Sequence, residues 1–172
     1  MTEARKLVAR ARKVAYANTG TVEAPIWTRM RGFLSLPKAK EAIEYSRQYV
    51  DEYFETTDTV GMSESQEFEC DKYTNDPVHA IIAKVFDDEL IGDDANIDIM
   101  VVDYTLGLTG EAPTEWDAIK RTYSIIPDTE GDGTESYKYS GTFKAKTPVE
   151  KVKVTAPQAD KSVTVTIGTA GI

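Results

Sequence analysis

Between Asn75 and Leu90 the chain carries its least ambiguous structural signal. Asp76 is a good N-cap, and Pro77 suits the first helical position because its missing N–H would be unpaired there anyway. Behind that cap Val78, Ile81, Ile82, Val85 and Phe86 recur at the i, i+3, i+4, i+7, i+8 spacing of one helical face, while Lys84, Asp87 and Asp88 face away. A stripe of this kind needs an apolar surface to cover. The flanking segments read mostly as strands, so a single helix at about 76–90 is expected on one side of a sheet, in a mostly β, α+β fold.

Around the helix the period changes to two. Ile26 to Phe33, with Trp27, Met30 and Phe33 among Thr and Arg, predicts a first strand that Pro37 ends. Residues 39–54 fit a helix or a strand. The alternation of Ile43, Tyr45 and Tyr49 against Glu44, Ser46 and Gln48, with a further tyrosine at 53, favours the strand. Glu55 to Ser63 is polar and without period, and reads as a surface loop. From Glu64 to Asp71 the alternation is clear. Gln66, Phe68 and Cys70 share one face, and Ser65, Glu67, Glu69 and Asp71 share the other, a column of carboxylates. Ile97 to Tyr104 is apolar on nearly both faces and is expected to be central. Leu106 to Pro113 reads as a connection, and Trp116 to Ile126 as a strand with Ile119, Tyr123 and Ile125 on one face. Pro127 to Gly133 carries turn chemistry, after which Tyr137, Tyr139 and Phe143 alternate with polar residues, so a hairpin is expected here. Val149–Thr155 and Val163–Ile167 predict two short closing strands.

Length and charge bound the rest. A chain of 172 residues, 41% hydrophobic, is about one domain and is expected to be folded and soluble. Its formal net charge of −9 argues against nucleic-acid binding by phosphate neutralisation. Residues 1–13 hold Arg5, Lys6, Arg10, Arg12 and Lys13 against Glu3, a local +4 that leaves −13 on the body. Leu7, Val8, Ala11, Val14 and Ala15 give this basic arm a weak helical stripe, too poor in bulky apolar residues for a membrane or targeting segment. Docking on an acidic neighbour is the expected use of Arg5, Arg10, Arg12 and Lys13. The single Cys70 excludes an internal disulfide or a cysteine zinc site, fits an intracellular origin, and reads as a small buried hydrophobe.

Catalytic patterns are weak. The lone His79 falls in the first turn of the helix, where packing or capping explains it. Gly61-Met62-Ser63-Glu64-Ser65 starts like a nucleophile elbow but lacks the second glycine. Glu67 and Glu69 have the residue type for two-carboxylate hydrolysis, yet a solvated strand face accounts for them. Asp128, Glu130, Asp132 and Gly133 imitate a calcium loop whose twelfth position is Tyr139 instead of a bidentate Glu. Neither a metal, a cofactor nor an enzymatic activity is expected.

Several phrases carry a resemblance to a known family. Tyr49-Val50-Asp51-Glu52 leads into Phe54-Glu55-Thr56-Thr57-Asp58 and Gly61-Met62-Ser63; Asn75-Asp76-Pro77-Val78-His79 opens the helix; Lys120 to Asp128 and Tyr139-Ser140-Gly141-Thr142-Phe143-Lys144 follow. Over roughly residues 26–145 the sequence resembles the major tail tube proteins of long-tailed phages of Gram-positive hosts. The resemblance implies a β-sandwich or barrel-like fold flanked by one helix, with a basic, extended or helical N-terminal arm (1–20), a tube domain (21–147) and C-terminal strands (148–172). It further implies hexameric rings whose inner strands join into a barrel, stacked into a virion tail tube. DNA passes without specific binding, and tail-completion, tape-measure and baseplate proteins are the other partners. Under it, Glu67, Glu69 and Asp71 are candidates for the lumen wall, and the segment containing Phe54, Glu55, Thr56, Thr57, Asp58, Val60 and Met62 for ring stacking. Two classes stay open beside it: another virion or injection-system component, such as a contractile-tail or secretion tube or a decoration protein, and a two-carboxylate hydrolase.

Overall fold

The computed structural model describes residues 7–105, 114–131, 134–155 and 164–167. Its elements are β1 (Lys13–Asn18), β2 (Trp27–Arg29), β3 (Phe33–Ser35), β4 (Lys38–Arg47), β5 (Thr56–Asp71), α1 (Pro77–Asp87), β6 (Asn96–Asp103), β7 (Trp116–Glu130), β8 (Lys138–Ala145), β9 (Glu150–Thr155) and β10 (Thr164–Ile167). All ten strands join one antiparallel sheet in the order β3-β5-β8-β7-β6-β1-β2-β10-β9, with β4 also on β5. The fold is mostly β with one helix.

Because β9 pairs back onto the first half of β7, the strands β7-β6-β1-β2-β10-β9 close into a small barrel. Tyr16, Trp27, Met100, Val102, Trp116 and Val154 fill it. Two buried phenols inside it satisfy each other, Tyr16 Oη lying 2.8 Å from Tyr104 Oη. The second half of β7 leaves the barrel and continues with β8, β5 and β4 as an open sheet. On one side of that open sheet and of β6 lies α1, over a core of Phe68, Ile97, Ile99, Tyr123, Ile125 and Phe143.

β6 shows why the sequence is apolar on both faces. Ile97 and Ile99 enter the core under the helix, and Met100 and Val102 enter the barrel. β1 does the same with Ala15 and Ala17 against Val14 and Tyr16. Of the two forms expected for the arm, the described part takes the extended one: apart from a 3-10 turn at Arg10–Arg12 it is extended, and from Lys13 on it is a barrel strand between β6 and β2.

α1 starts where its cap places it, with Asp76 Oδ1 accepting from the Val78 and His79 amides at 2.9 and 3.3 Å. It ends at Asp87, short of the expected position 90. The apolar stripe is as expected, with His79 and Ala83 added to the buried side. Asp76→Ala is expected to cost about 1 kcal/mol, read as a shift in denaturation midpoint, because two first-turn amides lose their acceptor.

Two further expectations are corrected. Residues 56–63 are not a loop but the first half of β5, paired along β4 from Arg47↔Thr56 to Glu41↔Ser63. Likewise Pro127 does not open the turn. β7 runs through it to Glu130 with a register shift between Pro127 and Thr129, a bulge of the kind that tolerates a residue without an N–H. Asp128 and Glu130 are therefore strand residues, while Asp132 and Gly133 of the calcium-like pattern lie outside the described residues.

Candidate functional site

The most unusual surface is the β4–β5 hairpin. Every residue of β4 from Lys38 to Ser46 is exposed, as is β5 from Thr56 to Val60. Two strands with no buried face are marginal in water by themselves, and this pair presents Ile43, Tyr45, Val60 and Met62 at more than half exposure. The pairing passes from Ile43↔Gly61 to Glu44↔Thr59, which makes Val60 a bulge residue and restores Asp58 and Thr56 to the face of Glu67 and Glu69. Arg47 braces the outer end: it forms an ion pair with Asp58 at 2.7 Å, donates to Tyr49 Oη at 3.0 Å, and lies over the rings of Tyr45 and Tyr49.

Of the residues expected to stack rings, Phe54 and Glu55 sit at the hairpin tip, a turn closed by the Glu52 amide donating to the Tyr49 carbonyl at 3.0 Å. Thr56, Thr57, Asp58, Val60 and Met62 lie in the strand instead. Both groups belong to one projecting arm.

At its root the arm is held by a buried carboxylate that sequence reading assigned no role. Glu64 is 4% exposed. It accepts from Tyr123 Oη at 2.5 Å and Arg121 Nη1 at 3.1 Å, with Lys38 and Lys40 of β4 both 3.9 Å away. Burial, and after it the Glu64 bond, raises the Tyr123 phenol, so that group stays a protonated donor. The missed signal was parity, since Glu64 shares the strand face of Gln66 and Phe68.

The acidic column faces away from α1. Glu67 is exposed, while Glu69 and Asp71 are half-buried. Glu69 pairs with Lys138 at 3.3 Å, and Asp71 accepts from Ser136 at 2.7 Å. With Asp128, Ser140 and Thr142, Glu67 and Glu69 line an open depression of about 270 Å³.

His79 and Cys70 have structural surroundings. His79 is 1% exposed; its Nδ1 accepts the Tyr73 amide at 3.1 Å, and its Nε2–H donates to the Arg31 carbonyl at 2.7 Å. Both ring nitrogens are thereby occupied. Burial pushes the Cys70 thiol up to about 11, which keeps it protonated and unreactive. In the arm, Arg10 and Arg12 lie in the 3-10 turn, and Lys13 reaches Asp103 at 3.8 Å; Arg5 lies outside the described residues.

No family model matches the sequence, and no curated protein matches it significantly. Among solved structures the fold is similar to a chain in the cryo-EM structure of the anti-feeding prophage tube-terminating cap, with 15% identity, 91% of this chain and 96% of that one covered, and a TM-score of 0.49. It is also similar to a chain in the 6-fold symmetrised cryo-EM structure of the anti-feeding prophage baseplate, with 10% identity, 87% and 97% covered, and a TM-score of 0.46. At such identities and scores neither likeness carries an inference about assembly or function.

Proposed function

We propose that the chain is a structural subunit of a phage-type tail tube, copies of which join side by side into rings that stack around a DNA channel. The observation that carries this reading is the set of unused edges on the open sheet, with β4 at one side of it and the free part of β7 at the other. Among the described residues β4 has no partner on its outer side, β5 from Thr56 to Glu64 has none on the side away from β4, and β7 beyond Ile126 pairs only with β8. The ten-residue edge of β4 is long enough to template another chain, and the free part of β7, Pro127 to Glu130, offers it a short register. Because β4, β5, β8 and β7 alternate in direction, β4 of one copy meets β7 of the next antiparallel. The two edges are different surfaces, so the contact is head-to-tail and closes into a ring when the rotation allows. Six copies follow from the resemblance in sequence.

In such a ring the sheet face opposite α1 turns inward. Glu67, Glu69, Asp71 and Asp128 outnumber Lys138 and Lys144 on it, which favours passage of DNA without adhesion. The helices lie outside. Tail-completion, tape-measure and baseplate proteins would be the partners at the ends, and the virion tail the location. The same edges also suit a single ring that never polymerises, as in a cap or another injection-system component, and electron microscopy of the purified protein separates the two.

The test is proline at Glu41 and, separately, at Ala42. Neighbouring strand residues direct their N–H groups to opposite sides, so one of the two substitutions removes a donor from the free edge alone and leaves the β4–β5 ladder intact. That variant, recognised by an unchanged melting curve, is expected to stay monomeric at concentrations where the parent chain forms rings. Rings from both variants, or a parent chain that stays monomeric at every concentration and salt, overturn the reading.

A further inference from the structure

We infer that the hairpin tip of one copy docks in an open depression at the far end of β5 on a second copy, so that copies join end to end along that strand. This rests on the tube reading for the ring, but it identifies both halves of the contact between rings. The depression holds about 400 Å³ and is lined by Thr28, Arg29, Arg31, Gly32, Tyr73, Asn75, Asp76 and Pro77.

The donor and the acceptor are chemically complementary. No Lys or Arg occurs between Gln48 and Asp71, and the tip sets Tyr53 and Phe54, 95% and 84% exposed, among Asp51, Glu52 and Glu55. Among the described residues none of these three acids forms an ion pair. In the depression Arg29 and Arg31 likewise have no ion-pair partner among the described residues, and Tyr73 is 54% exposed. Asp76, the one carboxylate of the lining, has its Oδ1 turned to the α1 amides. An aromatic side chain flanked by carboxylates suits a depression lined by a tyrosine ring, a proline and two arginines.

The site is also preformed. The His79 imidazole ties the Arg31 carbonyl to the Tyr73 amide and fixes both to α1. Gly32, at φ +72°, lets the chain pass where any side chain would come within 3.0 Å of the Tyr73 and His79 rings.

The tip adjoins the Thr56 end of β5, while the depression adjoins its Asp71 end, where the Asp71 amide donates to the Gly32 carbonyl at 3.0 Å. A strand of 16 residues separates them by about 50 Å at ~3.3 Å per residue. Complementary surfaces at opposite ends of one element form a head-to-tail contact that propagates along its axis.

Charge reversal tests this. Arg29→Glu with Arg31→Glu is expected to reduce end-to-end polymer length by roughly ten-fold or more while single rings remain, and Glu52→Lys with Glu55→Lys to do the same from the exposed tip. Combining all four in one chain is expected to restore polymers. Polymers of parental length from the tip variant, which changes only exposed residues and keeps the fold, overturn the inference and leave the ring standing. End-to-end fibres in the parent without rings overturn the ring and support the end contact; a parent that never associates overturns both.

Discussion

Glu64→Ala is expected to lower the free energy of unfolding by about 3–5 kcal/mol, the range for breaking a buried ion pair from one side. The carboxylate is the shared acceptor of Arg121 and Tyr123 and, among the described residues, the ion-pair partner of both Lys38 and Lys40 at the hairpin root. Its loss leaves a buried phenol without its acceptor and an Arg121 side chain, 14% exposed, with its charge uncompensated. Lys38 suffers as well: its backbone lies on the exposed strand, but its side chain, 32% exposed, folds back towards the root, where desolvation lowers its pKa and the Glu64 charge raises it. Glu64→Gln keeps an oxygen for one donor and is expected to fall between parent and alanine variant. In a double-mutant cycle with Arg121→Ala the combined loss is expected to be smaller than the sum by ~1 kcal/mol or more, because the second substitution removes the charge that the first had stranded. Denaturant titration of the variants measures all of this. A Glu64→Ala cost below ~1 kcal/mol would mean that the cluster is solvated and does not hold the arm.

What could be read from the chain follows from how burial writes itself into sequence. α1 was legible because one face is buried, the other is wet, and Asp76-Pro77 marks the start. Glu64–Asp71 was legible by alternation, and β6 because its two faces serve two cores. β1 has the same double duty, but in only six residues. Its apolar run 14–17 therefore imitates a short helical stripe. Residues 56–63 carried no period because neither face is buried within one subunit and because the Val60 bulge shifts the phase. If the proposed ring forms, the missing half of that pattern belongs to the neighbouring copy. The acidic column at Glu67, Glu69 and Asp71 could be read directly. The depression at Arg29 and Arg31 could not, since it joins residues 28–32 to 73–77 through His79, a contact without a local signature. Barrel closure by β9 and β10 is equally non-local, set by pairings to β7 and β2 far away in the chain.

Phe143→Ala is expected to cost a further about 3–5 kcal/mol in a separate experiment, the usual range for emptying a buried phenylalanine site. The ring is fully buried, stacked on Phe68 at 4.3 Å between centroids and edge-on to Tyr123 at 6.5 Å. Relaxation into the space is restricted. Gly141, two residues back, already brings β8 so close to β7 that an added Cβ would meet the Ile126 carbonyl at 2.4 Å. The strands therefore have little freedom to collapse, and the cavity term should be near its upper range. The midpoint of urea unfolding is expected to fall with the slope unchanged, since the same surface is exposed on unfolding. Ile126→Ala, on the exposed side of the neighbouring strand, serves as the control and is expected to stay within ~0.5 kcal/mol. β8 touches neither free edge of the open sheet, so Phe143→Ala held below its melting temperature should still assemble as the parent does. A variant that stays folded and yet fails to associate would mean that assembly depends on the packing of the sheet interior and not on its edges.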